Sequence, residues 1–163
     1  MVKHRRTLKP AVRPVAAIFM TPSAPAPAPP WLRVLAWTGV VLWAVTITVL
    51  SSLPGDRLKE LSPFELWDKA AHFLAYAAGA VNLALALRWT TAWPWKRIII
   101  FTSVALSGFG VIDEIHQLYT PHRSGADPFD WTADTLGAAA GALATCLIHA
   151  RYPSTRRLTP AGD

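Results

Sequence analysis

Between Val34 and Leu53 the chain reads VLAWTGVVLWAVTITVLSSL, a run without a charged side chain. A helix of about 20 apolar residues spans the hydrocarbon core of a bilayer. No water reaches backbone groups there, so a lone apolar run must satisfy them internally, as a helix. Three further stretches follow the same pattern. They are Asp68 to Leu87, bounded by Lys69 and Arg88; Ile98 to Tyr119, apolar as far as Ile112; and Trp131 to Ala150, rich in alanine and glycine. Each of these three has a polar end, as helices do when they shelter a shared polar site from lipid. The expected fold class is therefore all-α, a four-transmembrane-helix bundle.

Composition agrees. The 163 residues are 52% hydrophobic and 16% charged, well below the roughly 25% charge of soluble domains. These figures argue against a soluble enzyme, and the length allows one compact domain. The single cysteine, Cys146, excludes an intrachain disulfide framework and any multi-cysteine zinc site. Ahead of the first span lie a basic cluster (Lys3, Arg5, Arg6, Lys9, Arg13) and an Ala-Pro run from Ala24 to Pro30. Such a run is extended or polyproline-like. The apolar patch Val15 to Met20 is too short for a signal-peptide core. The expected organisation is a disordered basic, Pro-rich cytoplasmic tail at 1–30, a four-helix membrane domain at 31–151 and a basic cytoplasmic tail at 152–163.

Basic residues set the expected orientation. With the N-terminus inside, twelve of the sixteen lysines and arginines fall on the cytoplasmic side, and only Arg57, Lys59, Lys69 and Arg123 lie outside. Every acid except Asp163 falls on that outer side. Both termini are thus expected in the cytoplasm, in a multi-pass protein of the cytoplasmic (inner) membrane. The pI near 10.0 then reports topology and contact with anionic lipid, with no nucleic acid implied. Trp67 and Trp131 fall at an outer interfacial belt, and Trp31, Trp89, Trp93 and Trp95 at an inner one.

Four polar groupings converge on the outer side. Asp68, His72 and Tyr76 are spaced i, i+4, i+8 and share one helix face, with Lys69 beside them. The third span ends Asp113-Glu114-Ile115-His116-Gln117, where Asp113 and Gln117 share a face and Glu114 points elsewhere. Two carboxylates at a helix C-terminus are disfavoured by the helix dipole and by lipid, so they require partners or a wet cavity. The following loop carries Arg123, the natural counter-charge for these acids or a fork for a phosphate or carboxylate. In the fourth span Asp130 is placed to cap the helix, and Asp134 sits a turn inside. Gly137 and Gly141 make a small-xxx-small face for close packing.

The ordered set Asp68, Lys69, His72, Phe73, Tyr76; Asp113, Glu114, Gln117; then Arg123, Asp130, Thr135 and Gly137 resembles the VanZ-like family of small multi-pass membrane proteins. The resemblance covers residues 34–150, with Asp134 where the family often has asparagine. It implies a role linked to the cell envelope and glycopeptide (teicoplanin) resistance, and implies no defined reaction or cofactor.

Three functions fit these residues. The first is an outer polar pocket for an amphiphile or lipid head group, such as a lipid-linked envelope precursor or a lipoglycopeptide. Its ligand-binding candidates are Asp68, Lys69, His72, Tyr76, Asp113, Glu114, Gln117, Arg123, Asp130 and Asp134. The second is an intramembrane hydrolase or transferase acting on a lipid-linked substrate. There His72 is a base oriented by a carboxylate, Glu114 a second catalytic candidate and Arg123 an anion clamp. A metal-dependent form would draw on His72, Glu114 and one of Asp113, Asp130 or Asp134, an O/N ligand set suited to zinc or manganese. Against it, no HExxH-type motif occurs, and Ser124 is a remote nucleophile candidate. The third is a structural network that locks the helices together.

Overall fold

The structure, a computed structural model, describes residues 28–61 and 65–151. The proposed tails at 1–30 and 152–163 lie almost wholly outside the described residues. Five helices follow in order: α1 (Pro30–Ser51), α2 (Gly55–Leu61), α3 (Glu65–Thr90), α4 (Trp95–Gln117) and α5 (Pro128–Arg151). No strand occurs among the described residues. Four of the helices, α1, α3, α4 and α5, are long and apolar enough to cross a membrane. The chain is a four-helix multi-pass membrane protein.

Proline decides where several helices begin. Pro29 precedes α1, Pro94 precedes α4 and Pro128 opens α5. A proline at the first position loses nothing, because its missing N–H has no intrahelical acceptor there. This moves the start of α5 three residues ahead of the expected Trp131 and changes its cap. Asp127, not Asp130, is the capping residue: its Oδ1 accepts the Phe129 N–H at 2.8 Å and its carbonyl accepts the Trp131 N–H at 3.2 Å. Asp130 sits inside the first turn and is buried, 4% exposed. Between α1 and α3, Pro54 precedes the short helix α2, which Gly55 opens.

Helix α3 is the hub of the bundle, packed against α1, α4 and α5. Its contact with α5 is the most extensive, and the two run parallel. Glycine makes this possible. A Cβ on Gly137 would lie 2.2 Å from the Phe73 carbonyl oxygen, and one on Gly141 would lie 2.3 Å from that of Ala77. The small-xxx-small face therefore meets backbone directly. On the other side, α1 lays the Trp43 ring over Gly79 and donates its indole N–H to the Ala75 carbonyl at 2.7 Å. Trp43, Tyr76 and Phe109 join α1, α3 and α4 through ring contacts of 5.2 to 6.4 Å. Below this cluster the core is Ala80, Leu83, Ala84, Ile98, Leu106, Ala138, Ala142 and Cys146.

The outward faces of the helices are apolar. Val34, Val41, Leu42, Val45, Val49, Val104, Ile112, Leu136 and Ile148 are all exposed, as lipid-facing residues must be. One end of the bundle is basic and aromatic. Arg97 stacks 4.1 Å from the Trp93 ring centre, Arg88 lies 5.6 Å from that of Trp95, and Trp95 meets His149. The acids collect at the other end.

The α3–α5 contact yields a direct test. Gly137→Ala places a methyl group against backbone that cannot rotate away, and is expected to destabilise the bundle by about 1–3 kcal/mol. Gly108, on exposed α4 surface, has nothing within 4 Å of a built Cβ. Gly108→Ala should therefore be neutral or stabilising by up to ~1 kcal/mol. Unfolding of purified protein in mixed detergent micelles measures both, and equal effects would contradict this packing.

Candidate functional site

The polar end is closed by the connecting segments. The Thr120 hydroxyl donates to the Ser51 carbonyl at 3.1 Å, and Ser52 meets His116 at 3.0 Å, tying the ends of α1 and α4 together. Helix α2 lies across the 118–127 loop. The Gly55 N–H donates to the Pro121 carbonyl at 3.1 Å, and Asp56 pairs with His122. Glycine is required at 55, where a Cβ would sit 1.8 Å from the His122 carbonyl oxygen. His122 and Ala126 adopt left-handed backbone, φ 59° and 61°, which turns the loop sharply enough to bring its middle back over the helix ends.

Glu114 anchors that loop. Its Oε2 accepts the Asp127 N–H at 2.8 Å, and its carbonyl accepts the Ala126 N–H at 3.2 Å. The side chain is buried and does not line the cavity described below, so its place is behind the loop, as a support. Gln117 has a comparable part. Its amide donates to Asp113 Oδ2 at 2.8 Å, one turn earlier on the same face.

Lys69 gathers three of the acids. Its ammonium contacts Asp130 Oδ1, Asp127 Oδ2 at 2.7 Å and Asp68 Oδ2 at 3.8 Å. The lysine holds the Asp127 carboxyl below the usual carboxylate range through its hydrogen bond, assisted by the Phe129 N–H. This corrects the expectation for Arg123 as counter-charge: among the described residues Arg123 makes no ion pair within 4.0 Å. Asp127 was missed as a site residue. Its signal was the Asp-Pro pair immediately before a helix, which marks a cap whose second oxygen remains available.

Deeper in, His72 Nδ1 meets Asp134 Oδ1 at 2.9 Å. Asp134 is fully buried, and it fits against α4 because position 110 is glycine, where a Cβ would crowd Asp134 Oδ2 at 2.9 Å. The carboxylate fixes the ring orientation of the histidine and leaves Nε2 as the remaining nitrogen. Tyr76, 1% exposed, lies one turn below on α3.

These groups surround a cavity of about 140 Å³ lined by Asp68, His72, Tyr76, Asp113 and Arg123, with Ser51 at its edge. Ile47 and Leu50 of α1 and Ala71 and Ala75 of α3 supply its apolar wall. Of the ten residues singled out from sequence, five thus line one cavity. Lys69 and Asp130 form the adjoining ion cluster, while Glu114, Gln117 and Asp134 stand behind the lining residues. Ser124 is exposed on the loop, and Cys146 is buried in the core.

The ligand atoms of Asp68, His72 and Asp130 lie within 4.8 Å of one another. This set shares His72 and Asp130 with the residues considered for a metal, but it has Asp68 and lacks Glu114. In it, the Lys69 ammonium already contacts both aspartates, so a divalent cation would compete with a covalently tethered one.

The ion cluster gives a test by double substitution. Lys69→Met strands the buried Asp130 carboxylate and is expected to cost about 2 kcal/mol, less than a fully buried pair because the lysine is partly exposed. Adding Asp130→Asn should recover most of that loss in detergent unfolding. Strict additivity of the two changes would show that the pair does not interact.

No curated protein and no solved structure matches the chain at a significant level. A family match does exist, and it covers the whole helical domain just described, including the acid, lysine, histidine and arginine positions of the polar end. The family model VanZ/LLP1 matches residues 31–149, and the chain belongs to the VanZ/LLP1 family.

Proposed function

We propose that this protein binds the polar head of an amphiphile in the cavity at the polar end of the bundle, and that this end faces outward from the cytoplasmic membrane. One observation carries the binding reading. Arg123 lines the cavity with a buried Nε that has no hydrogen-bond partner, while Lys69 is held by Asp127 and Asp130 beside it. A guanidinium so placed is a ready anchor for a phosphate or carboxylate. The apolar wall from Ile47 and Leu50 suits the acyl part of the same molecule. The outward orientation follows from the basic residues gathered at the opposite end. Membership of the VanZ/LLP1 family supports a cell-envelope role, in which a lipid-linked precursor or a lipoglycopeptide such as teicoplanin is the kind of amphiphile presented at that face.

The His72–Asp134 pair favours a second reading. A histidine oriented by a buried carboxylate and facing the same cavity is the arrangement of a general base, so a lipid-linked substrate could be turned over there. Arg123 would then steady the developing anion.

Protein released gently from membranes should retain a stoichiometric lipid in native mass spectrometry. Arg123→Ala should weaken retention about tenfold or more, the loss of a charge-assisted hydrogen bond. Any glycopeptide phenotype should vanish in Arg123→Ala and in Glu114→Ala at unchanged membrane abundance. If both keep lipid and phenotype, the pocket reading is wrong. A bound metal, or a turnover that dies with His72→Ala, would establish the enzyme instead. Orientation is checked separately: Ser124→Cys should react with a membrane-impermeant thiol reagent added to intact cells. Reaction only after permeabilisation would invert the topology.

A further inference from the structure

We infer that the head group this cavity takes is dipolar, a phosphate joined to a primary ammonium as in an aminophospholipid, rather than a simple anion. The inference rests on the binding reading above and adds the chemical class of the ligand. Its ground is the mixed charge of the lining. Arg123 enters from the loop, but Asp113 of α4 and Asp68 of α3 line the same space. Gln117 holds Asp113 in place through Oδ2, so this carboxylate is fixed toward its neighbours rather than free to swing away. Lys69 is committed to Asp127 and Asp130 and stands 3.8 Å from Asp68. No described cation within 4.0 Å neutralises Asp113.

A bare anion drawn to Arg123 would meet two carboxylates in the same small space. A bare cation drawn to those carboxylates would meet the guanidinium. A group carrying both charges satisfies both walls at once. The phosphate takes the planar fork of the arginine, and the ammonium offers three N–H donors to the acids. A quaternary ammonium offers none, so the same logic disfavours a choline head.

Volume and walls narrow the class further. About 140 Å³ falls well below the roughly 300–1,000 Å³ of pockets that enclose drug-sized ligands. It accommodates a head group and leaves the rest of the molecule outside. Ile47 and Leu50 form the wall toward α1, and Leu50 is 42% exposed on the outer surface of the bundle. Acyl chains attached to the head group therefore have an apolar way out between α1 and α3, into the bilayer.

The test is lipid selectivity of the full chain. Purified protein in detergent is mixed with equal amounts of phosphatidylethanolamine, phosphatidylglycerol and phosphatidylcholine of identical chains, and bound species are counted by native mass spectrometry. Phosphatidylethanolamine should be retained about tenfold or more over phosphatidylglycerol, as expected when a charged hydrogen-bond partner is lost. Phosphatidylcholine should fall below phosphatidylethanolamine. Asp113→Asn should bring the ethanolamine-to-glycerol ratio toward one, whereas Arg123→Gln should lower retention of all three. Capture of free phosphoethanolamine at equal strength would support the same chemistry with a soluble source.

Two results would overturn the inference, and they differ. Equal or stronger retention of phosphatidylglycerol, lost in Arg123→Gln, would remove the dipolar ligand and leave an anion-binding pocket. Retention of every lipid at the Arg123→Gln level would remove the binding reading itself. The comparison of lipids on the unaltered chain decides the first case even where a variant does not fold.

Discussion

The close approach of α3 and α5 is the constraint on which the polar end depends. Gly137 meets the Phe73 carbonyl and Gly141 that of Ala77, and because the helices run parallel the register continues upward. Asp134 comes opposite His72 and Asp130 opposite Lys69. A larger residue at either glycine would push the helices apart by an ångström or more and separate both pairs. In lipid there is no hydrophobic force to bring helices together, so contact of this kind has to come from shape and hydrogen bonding. Here the same shape also places the charges.

Charge placement in turn explains why so many acids are tolerated. Carboxylates at the edge of a hydrocarbon layer are costly unless paired or wet. The ammonium of Lys69 serves three of them, and Gln117 and the Asp127 N–H hold two more. The asymmetry lies in the cations. Lysine, a compact and flexible donor, is used inside the structure, while arginine, with its planar fork, is left facing the cavity.

Much of this was legible in the sequence because it depends on helical periodicity. The charge-free run Val34 to Leu53 fixed a first span to within a few residues of α1. The i, i+4, i+8 spacing of Asp68, His72 and Tyr76 put all three on the cavity side, and the same spacing joined Asp113 to Gln117. What escaped reading depends on the loop. Where Arg123 comes to lie depends on a loop whose left-handed turns fall at His122 and Ala126, neither of them a glycine. The cap was misplaced for a related reason: Asp127 and Asp130 are both plausible caps, and only the position of Pro128 in the first turn distinguishes them. Helix α2 was hidden because it is short and depends on docking against the loop.

Helix α1 forms one wall of the cavity yet packs chiefly against α3, through Trp43 on Gly79 and its bond to the Ala75 carbonyl. Its end is also tied to α4, by the Thr120 hydroxyl on the Ser51 carbonyl and by Ser52 with His116. Ile47 and Leu50 lie between the tryptophan and that tie. The apolar wall of the cavity is thus strung between two fixed points, its position set by α3 at one end and by α4 at the other.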